Sequence, residues 1–331
     1  MGKFKVVITD YEYNSLAEEK NIFEKLDVEL VGAQCRTEEE VIAAARDADG
    51  ILNQYAPITA NIIRSLRHCK VISRYGIGVD TVDLNAATNA GIVVANVTDY
   101  CLEEVSDHAL ALLLNGARNI AAYNKQIKQG RWDYKKGSKL FRLQNRVLGL
   151  VGFGHIAQLL ARKAQGLGMK VVAADPFVSE QNAASLDVEL VSLKQLCRQS
   201  DFISVHTPLN EKTRGLIGRQ EFDWMKEQAY IVNTSRGPVI NEAELIEALQ
   251  QEKIAGAGLD VLEKEPLEDH HPFLSMEQVT LTPHAAWYSE DSEADLKRKS
   301  AQNVADVLLG YFPEYLVNTE VKEKIFLSVK G

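Results

Sequence analysis

Three polar residues follow three consecutive apolar runs in the last third of the chain. Arg236 lies near the end of the run AYIVNTSRG, Glu265 follows IAGAGLDV, and His284 lies near the end of VTLTPHA. A guanidinium binds a carboxylate through two parallel hydrogen bonds, and an imidazole beside a carboxylate can exchange a proton near neutral pH. Each residue alone is more typical of a surface charge or a turn. Their occurrence at three strand ends predicts that they converge at one edge of a parallel sheet.

An earlier segment, VLGLVGFGHIAQ, has the spacing of a dinucleotide-binding turn. Gly152, Gly154 and Ala157 fit the pattern G-x-G-x-x-[G/A] between an apolar run and a helical pattern. Gly152 permits the tight turn, Gly154 lets the backbone approach a pyrophosphate, and Ala157 allows close packing of helix on strand. The backbone amides of His155 and Ile156 are the expected donors to the anion, since they begin the helix.

Asp175 follows this turn after about twenty residues, at the end of the next apolar run, KVVAADP. A carboxylate at this place accepts hydrogen bonds from both ribose hydroxyls and repels a 2′-phosphate. No arginine comes directly after Asp175. The sequence therefore predicts NAD as the cofactor in preference to NADP.

The elements that must position these residues are read from alternating apolar runs and helical patterns, which indicate parallel sheets covered by helices. A first set of runs covers 4–10, 28–33, 50–55, 70–76 and 91–97. A second set covers 146–154, 170–176, 201–209, 229–237, 254–261 and 279–285. Most runs are continuously apolar, as in strands buried on both faces. The fold class predicted is α/β with two parallel sheets.

Two helices are predicted from local patterns. Thr37 and Glu40 fit a capping box at the start of TEEEVIAAARDA. Asp99 can cap a long helix that runs to Arg118, in which apolar residues recur at helical spacing. The apolar face of that helix is wider than one sheet-facing stripe requires. An interdomain or subunit contact and simple core packing are alternative explanations.

The composition excludes several classes of protein. A net charge of −9 without a concentrated basic face disfavours nucleic-acid binding, and no apolar run is long enough to span a membrane. The N-terminus has no signal-peptide pattern. The cysteines are scattered, without disulfide or metal-ligand spacing, so reduced thiols in the cytoplasm and no metal are expected. A length of 331 residues predicts two domains.

The chain resembles the D-isomer-specific 2-hydroxyacid dehydrogenases over nearly its whole length. The resemblance rests on RYGIGVDTVDL, GFGHIAQ, HTPLNEKTRGLI, NTSRGPVINEAEL, GAGLDVLEKEP and TPHAAW, in this order. Within the family, PHAAWYSE is most similar to the C-terminal binding protein branch, whose members have a tryptophan after the catalytic histidine.

The resemblance implies a role for each residue named above. His284 would protonate the carbonyl oxygen of a 2-oxo acid as hydride arrives from the nicotinamide, and Glu265 would fix the tautomer of its imidazole. Arg236 would bind the substrate carboxylate and polarise the carbonyl. Further contacts to that carboxylate would come from the loop Tyr75, Gly76, Ile77 and Gly78.

On the cofactor side, the resemblance implies that Asp260 binds the nicotinamide carboxamide and that Thr234 lines the site of the ring. The adenosine and phosphates would lie along Thr207, Pro208 and Thr213.

Trp287 stands about one helical turn beyond His284, after Pro283 has ended the strand. It is predicted to form an apolar wall for the side chain of the substrate, with a packed core tryptophan as the alternative. Tyr55 is a candidate for the facing wall. If both line the pocket, the substrate is a 2-oxo acid with a sizeable apolar side chain.

Residues 1–99 and 291–331 are predicted to form a flavodoxin-like, substrate-binding domain, and residues 100–290 a Rossmann domain that binds NAD. Both sheets would be doubly wound. The family resemblance also implies a homodimer, with the helix 99–118 in its interface.

The predicted activity is NAD-dependent reduction of a 2-oxo acid to a D-2-hydroxy acid. One alternative is a corepressor-like interaction protein that senses NAD(H) and has secondary catalytic activity. A phosphoglycerate, glyoxylate or hydroxypyruvate type of reductase is a second alternative. Hydride transfer from formate or phosphite is a third, but it fits poorly with Glu265 beside His284.

Overall fold

The computed structural model of the protein describes residues 3–135 and 139–330. Contacts between Cα atoms divide the chain into two compact units. The first unit comprises Met1–Tyr100 and Ser289–Gly331, and the second comprises Cys101–Tyr288. Each unit is built around one sheet in which every strand pairing is parallel.

The strands of the first unit are β1 (Phe4–Ile8), β2 (Val28–Gly32), β3 (Gly50–Asn53), β4 (Val71–Arg74) and β5 (Val93–Ala95). Those of the second unit are β6 (Val147–Val151), β7 (Lys170–Ala174), β8 (Glu189–Leu190), β9 (Phe202–Val205), β10 (Tyr230–Asn233), β11 (Gly256–Leu259) and β12 (Val279–Leu281). Every predicted run contains a strand, although the strands are shorter than the runs. The strand β8 was not predicted, because two residues are too few to show a pattern.

The first sheet has the strand order β2-β1-β3-β4-β5, and the second has β12-β11-β10-β9-β6-β7-β8. The first is the flavodoxin-like order, and the second is the Rossmann order with one added strand. The predicted α/β class with two doubly wound parallel sheets is therefore confirmed. In the second sheet the order reverses between β6 and β9, and ligands bind at the carboxyl ends of strands at such a point.

Helices follow the strands along the chain. They are α1 (Ala17–Phe23), α2 (Glu38–Ala45), α3 (Ala60–Ser65), α4 (Leu84–Asn89), α5 (Leu102–Arg118), α6 (Ile120–Lys128), α7 (His155–Gly166), α8 (Glu180–Ala184), α9 (Leu193–Gln199), α10 (Arg219–Trp224), α11 (Glu242–Gln250) and α12 (Glu290–Leu308). The capping box of α2 is present, with reciprocal hydrogen bonds between Thr37 and Glu40. Within residues 3–135 and 139–330, no helix combines the length and apolar character needed to cross a bilayer.

The cores lie on both faces of the second sheet. Side chains along β6 alternate between them, since Leu148 and Leu150 belong to one apolar cluster and Val151 to the other. This arrangement explains the continuous apolar runs, because strands covered on both faces have no polar side. In the first unit, the strands β3, β4 and β5 are likewise buried along their whole length.

The helix α5 differs at its start from the prediction. It begins at Leu102, and the side chain of Asp99 does not cap it. The Asp99 carboxylate instead accepts hydrogen bonds from Lys299 Nζ at 2.8 Å and Tyr315 Oη at 3.0 Å. Core packing accounts for much of the apolar face of α5, which contacts α7, β10 and β11.

Candidate active site

His284 and Glu265 form a hydrogen-bonded pair. The Nδ1 atom of His284 lies 2.7 Å from Oε2 of Glu265, and Oε1 of Glu265 accepts a hydrogen bond from the amide of Leu262 at 2.9 Å. An ionised carboxylate can only accept, so the proton in the first contact is on Nδ1. This bond selects the tautomer in which Nε2 is the nitrogen that can exchange a proton with another molecule.

The Glu265 side chain is held in its ionised form. Burial raises the pKa of its carboxyl, but the hydrogen bond and charge of His284, the Leu262 amide and the charge of Arg236 together lower it more. The pKa is therefore below the ordinary value of 4.5. The side chains of His284 and Glu265 remain 25% and 35% exposed, so a molecule in solvent can reach the pair.

Arg236 follows β10 in a turn that Asn233 organises. The Oδ1 atom of Asn233 accepts from the amide and the hydroxyl of Ser235 at 3.0 and 2.8 Å, and its Nδ2 donates to the carbonyl of Arg236 at 2.9 Å. Nη1 of Arg236 donates to the carbonyl of Ser235 at 2.8 Å. The positive charge of Arg236 lowers the pKa of Glu265, as does His284. The three predicted catalytic residues are therefore close enough to interact electrostatically.

Gly237 allows the turn of Arg236 to approach the loop of Glu265. A Cβ atom at Gly237 would lie 1.9 Å from the carbonyl carbon and oxygen of Leu262 and 2.5 Å from the amide nitrogen of Glu263. These are backbone atoms, which cannot rotate away. Only glycine therefore permits this spacing between the two loops.

Glu242 ties the same loop to the start of α11. Its Oε2 accepts from the amide of Glu263 at 3.0 Å, and its Oε1 lies 3.0 Å from Nε2 of His271. The carboxylate thus fixes a residue next to the Leu262 amide that binds Glu265. Glu242 was not predicted from the sequence, because no local motif around it indicates its hydrogen bonds to Glu263 and His271.

Asp260 holds the turn that carries His284. Its Oδ1 accepts from the hydroxyl of Thr282 at 2.5 Å and the amide of Ala285 at 2.9 Å, and its Oδ2 accepts from the amide of Ala286 at 2.9 Å. The carbonyl of Asp260 accepts from the amide of His284 at 2.8 Å. The carboxylate is 1% exposed, and besides the turn it contacts Nε2 of His108 at 3.5 Å. A contact with a nicotinamide carboxamide stays a prediction.

The glycine-rich turn lies between β6 and α7, at the point where the strand order reverses. Gly152 has φ of 87°, and a Cβ atom there would lie 2.9 Å from the carbonyl of His206. Gly154 has open space where its Cβ atom would be, and no side chain caps the start of α7. The first amides of the helix, at His155 and Ile156, are therefore placed to bind an anion.

Asp175 follows β7 and shapes the same turn. Its Oδ2 accepts from the amide of Phe153 at 2.8 Å, and its Oδ1 accepts from the amide of Phe177 at 2.8 Å. Ala157 is fully buried under the turn, as the fingerprint requires. The carboxylate is thus held beside the glycine-rich turn, where it can accept further hydrogen bonds from a ribose.

The predicted threonines differ in their surroundings. The hydroxyls of Thr207 and Thr234 are buried and have no hydrogen-bond partner among the described residues. Such atoms are costly to leave unsatisfied, so a ligand that supplies partners fits here. The hydroxyl of Thr213 donates to the carbonyl of Pro208 at 2.6 Å and closes its own exposed loop. The anion-binding turn and the buried hydroxyls fit a dinucleotide.

In the first unit, Tyr75 supports the predicted anion-binding loop from within. Its amide donates to the carbonyl of Asn53 at 2.7 Å, and its buried hydroxyl donates to Oε1 of Glu19 at 2.9 Å. The amide of Tyr75 therefore already has an acceptor, and a contact of Tyr75 with the substrate carboxylate stays a prediction.

The next three residues keep their amides available. Gly76 has φ of 136°, and its missing Cβ makes room for the guanidinium of Arg74. Among the described residues, the amides of Gly76, Ile77 and Gly78 have no hydrogen-bond acceptor. A turn with several such amides is suited to an anion.

The two aromatic residues predicted to line the pocket are both partly accessible. Tyr55 is 39% exposed, and its amide donates to Oδ2 of Asp10 at 2.6 Å. Asp10 is buried at the end of β1 and was not predicted. Trp287 is half-buried and packs edge-on against Tyr288, with ring centroids 5.6 Å apart. Neither is a fully packed core residue.

A model of the D-isomer-specific 2-hydroxyacid dehydrogenase NAD-binding domain matches residues 110–286. The chain belongs to this family. The matched residues include the glycine-rich turn, Asp175, Arg236, Glu265 and His284. The prediction of NAD as the cofactor is therefore confirmed at the level of the domain.

Relatives in this dehydrogenase family cover most of the chain. A glyoxylate reductase of Korarchaeum cryptofilum is 35% identical over 85% of this chain and 86% of that protein. A D-3-phosphoglycerate dehydrogenase of Methanocaldococcus jannaschii is 38% identical over 85% of this chain, which spans only 54% of that relative. The D-mandelate dehydrogenase structure from Rhodotorula graminis has a TM-score of 0.84 and 30% identity, and covers 96% of this chain and 98% of its own.

Proposed function

We propose that the protein is an NAD-dependent dehydrogenase that reduces a 2-oxo acid to a D-2-hydroxy acid. The observation that carries the proposal is the pair of His284 and Glu265, with the charge of Arg236 beside it, in a unit that belongs to an NAD-binding family. The family relatives are named as dehydrogenases and reductases of such acids.

The proposed mechanism assigns one task to each of the three residues. NADH, when bound, supplies a hydride to the carbonyl carbon. His284 donates the proton on Nε2 to the carbonyl oxygen, and the ionised Glu265 stabilises the positive charge of the imidazole before the transfer. Arg236 binds the substrate carboxylate with its planar guanidinium. In the reverse direction, neutral His284 accepts the proton of the hydroxyl.

The cofactor assignments rest on the turn between β6 and α7. The amides of His155 and Ile156 bind the pyrophosphate beside Gly154, and Asp175 binds the ribose hydroxyls. Thr207 and Thr234 supply hydroxyls whose buried oxygens lack partners in the protein. The hydroxyl of Thr213, the carbonyl of Pro208 and the carboxylate of Asp260 already have partners in the protein, so their contacts with the cofactor are proposed from the family resemblance. The amides of Gly76, Ile77 and Gly78 are proposed to bind the substrate carboxylate.

We propose a substrate with a sizeable apolar side chain, for which Trp287 forms a wall and Tyr55 is the second candidate. Trp287 is partly buried and Tyr55 is exposed, so a ligand can reach both rings, which supports this assignment. Mandelate is a 2-hydroxy acid with a phenyl group, and the D-mandelate dehydrogenase has a similar fold. The other relatives are named for phosphoglycerate and glyoxylate, so phosphorylated and small 2-oxo acids are the competing classes.

The test is a panel of 2-oxo acids assayed by the loss of NADH absorbance. It contains phenylpyruvate, 4-methyl-2-oxopentanoate, pyruvate, glyoxylate, hydroxypyruvate and phosphohydroxypyruvate, with formate and phosphite tested in the oxidative direction. The highest kcat/KM is expected for an apolar side chain, and Trp287→Ala should lower it selectively. Turnover of formate or phosphite alone would overturn the proposed reaction.

An interaction protein that senses NAD(H), as in the C-terminal binding protein branch, is the second candidate function. The feature that favours it is PHAAWYSE after β12. In that case NADH would change self-association, while His284→Gln would leave the change intact. Light scattering with and without NADH measures this directly.

A homodimer with α5 and its neighbours in the interface is part of the proposal. The neighbouring helix α6 supports it, because none of its residues is buried, and Ile120 and Ile127 are 58% and 46% exposed. Size-exclusion chromatography with light scattering measures the mass.

The cytoplasm is the proposed compartment, since all four cysteines are free.

A further inference from the structure

We infer that His108 on α5 is a positioning residue for His284, and that it acts through Thr282 and Asp260. The inference rests on the proposed function, because it assigns a part in the same reaction to a residue outside the motifs. His108 lies in the middle of α5 and is not part of any sequence motif described above.

The contact is made by one nitrogen of the imidazole. Nε2 of His108 lies 2.9 Å from the hydroxyl oxygen of Thr282 and 3.5 Å from Oδ1 of Asp260. The histidine side chain is 25% exposed and the aspartate side chain 1% exposed. The three groups therefore meet at a nearly buried place directly after β12.

The direction of the hydrogen bonds follows from the available protons. Thr282 has one hydroxyl proton, and it donates that proton to Oδ1 of Asp260 at 2.5 Å. The Thr282 oxygen can then only accept from His108, so Nε2 of His108 carries a proton. His108 therefore donates to Thr282, and Thr282 donates to Asp260.

Asp260, the last residue of this series of hydrogen bonds, holds the turn that carries His284. Oδ1 and Oδ2 of Asp260 accept the amides of Ala285 and Ala286, and the Asp260 carbonyl accepts the amide of His284. His284 has φ of 54°, a left-handed conformation that non-glycine residues adopt when their surroundings enforce it. The orientation of its imidazole therefore depends on how firmly Asp260 is held.

The helix α5 is a rigid base for this contact. The residue after His108, Ala109, is fully buried, and α5 packs on α7, β10 and β11. Two turns later, Nδ2 of Asn115 donates to the hydroxyl of Thr280 at 2.7 Å. The helix α5 therefore makes two similar hydrogen bonds to β12 and the residue after it. Only the bond of His108 is connected to the turn that carries His284. Asn115 is a matched control.

The experiment compares His108→Phe, His108→Gln, Thr282→Val and Asn115→Leu in the full chain. The measurements are kcat, KM for the best 2-oxo acid, Kd for NADH and Tm. His108→Phe should lower kcat on the order of tenfold with little change in KM or Kd, because misalignment of a catalytic group acts on the transition state. His108→Gln should restore most of kcat, since its amide can donate to Thr282. Asn115→Leu should lower Tm comparably without lowering kcat.

The double variant His108→Phe with Thr282→Val should lose no more activity than Thr282→Val alone, because both changes break one series of bonds. Additive losses, no rescue by glutamine, or an equal loss of kcat in Asn115→Leu would overturn the inference. Hydrogen exchange gives a readout that is independent of turnover. The amides of Ala285 and Ala286 should exchange faster in His108→Phe than in Asn115→Leu, even if no 2-oxo acid is reduced and the proposed function fails.

Discussion

Nδ1 of His284 lies 2.7 Å from Oε2 of Glu265, and the other oxygen of that carboxylate is held by the amide of Leu262. The carboxylate is therefore fixed from one side and orients the imidazole with the other. Its lowered pKa keeps it ionised at neutral pH, with the charge of His284 among the causes.

Replacement of Glu265 by glutamine tests the electrostatic part of this relationship. The amide oxygen can still accept the proton of Nδ1, but the negative charge beside the imidazole is lost, and the NH2 group cannot accept the Leu262 amide. We expect kcat for reduction to fall by about 10²-fold, and its alkaline limb to move to lower pH, because the imidazolium loses its stabilising partner. A pH series of initial rates measures both effects.

Glu263→Gln is the control for that substitution, because it removes a charge from the same loop without removing a partner of His284. Glu263 uses its backbone amide to bind Glu242. Its variant should keep the wild-type pH profile. An unchanged profile in Glu265→Gln would show that the carboxylate does not stabilise the protonated imidazole.

Asp175→Asn tests the preference for NAD. Asparagine keeps the shape of the side chain and one oxygen that can accept the amide of Phe153, but it loses the acceptor for the Phe177 amide and the charge that repels a 2′-phosphate. We expect the KM for NADH to rise by about tenfold and that for NADPH to fall, since about 1.4 kcal/mol corresponds to tenfold in binding. Steady-state kinetics with both cofactors measure the ratio. Equal ratios in the variant and the wild type would contradict this role.

Much of this site could be predicted because parallel topology determines where strand ends lie. Arg236, Glu265 and His284 follow adjacent strands of the order β12-β11-β10, so their convergence required only that the runs be parallel. The glycine-rich turn was predictable for a similar reason. Its spacing encodes a backbone path that few other residues allow, as the φ of Gly152 shows.

The supporting contacts could not be predicted, since they join residues far apart in sequence through single polar atoms. Asp99 had the residue type of a helix cap, but Lys299 and Tyr315 are its partners. Asp260 was assigned a ligand from the resemblance, whereas its carboxylate oxygens hold the turn after Thr282. His108 has no local pattern that distinguishes it from any other polar residue on a helix.

Gly237→Ala tests the close approach of the Arg236 turn to the Glu265 loop. The added methyl group would overlap the backbone of Leu262, so one of the two loops must move. We expect a loss of stability of about 1 to 3 kcal/mol, as for other overpacked sites, together with a lower kcat. Gly166→Ala is the control, because nothing lies within 4 Å of its added atom. A Gly237→Ala enzyme with wild-type Tm and kcat would contradict the constraint.

His206 follows β9, and its surroundings predict that the stability of the protein depends on pH. Burial lowers the pKa of its imidazole from 6.5 to about 4, and its Nε2 lies 2.8 Å from the hydroxyl of Ser204. Because the unfolded chain binds this proton more tightly, its contribution to stability is complete above pH 6.5 and is lost progressively as the pH falls to about 4. We expect Tm to fall less between pH 7 and pH 4.5 in His206→Gln than in the wild type. His68 is exposed, so the Tm of His68→Gln should depend on pH as that of the wild type does. An identical fall of Tm in all three proteins would rule out His206 as a source of the acid sensitivity.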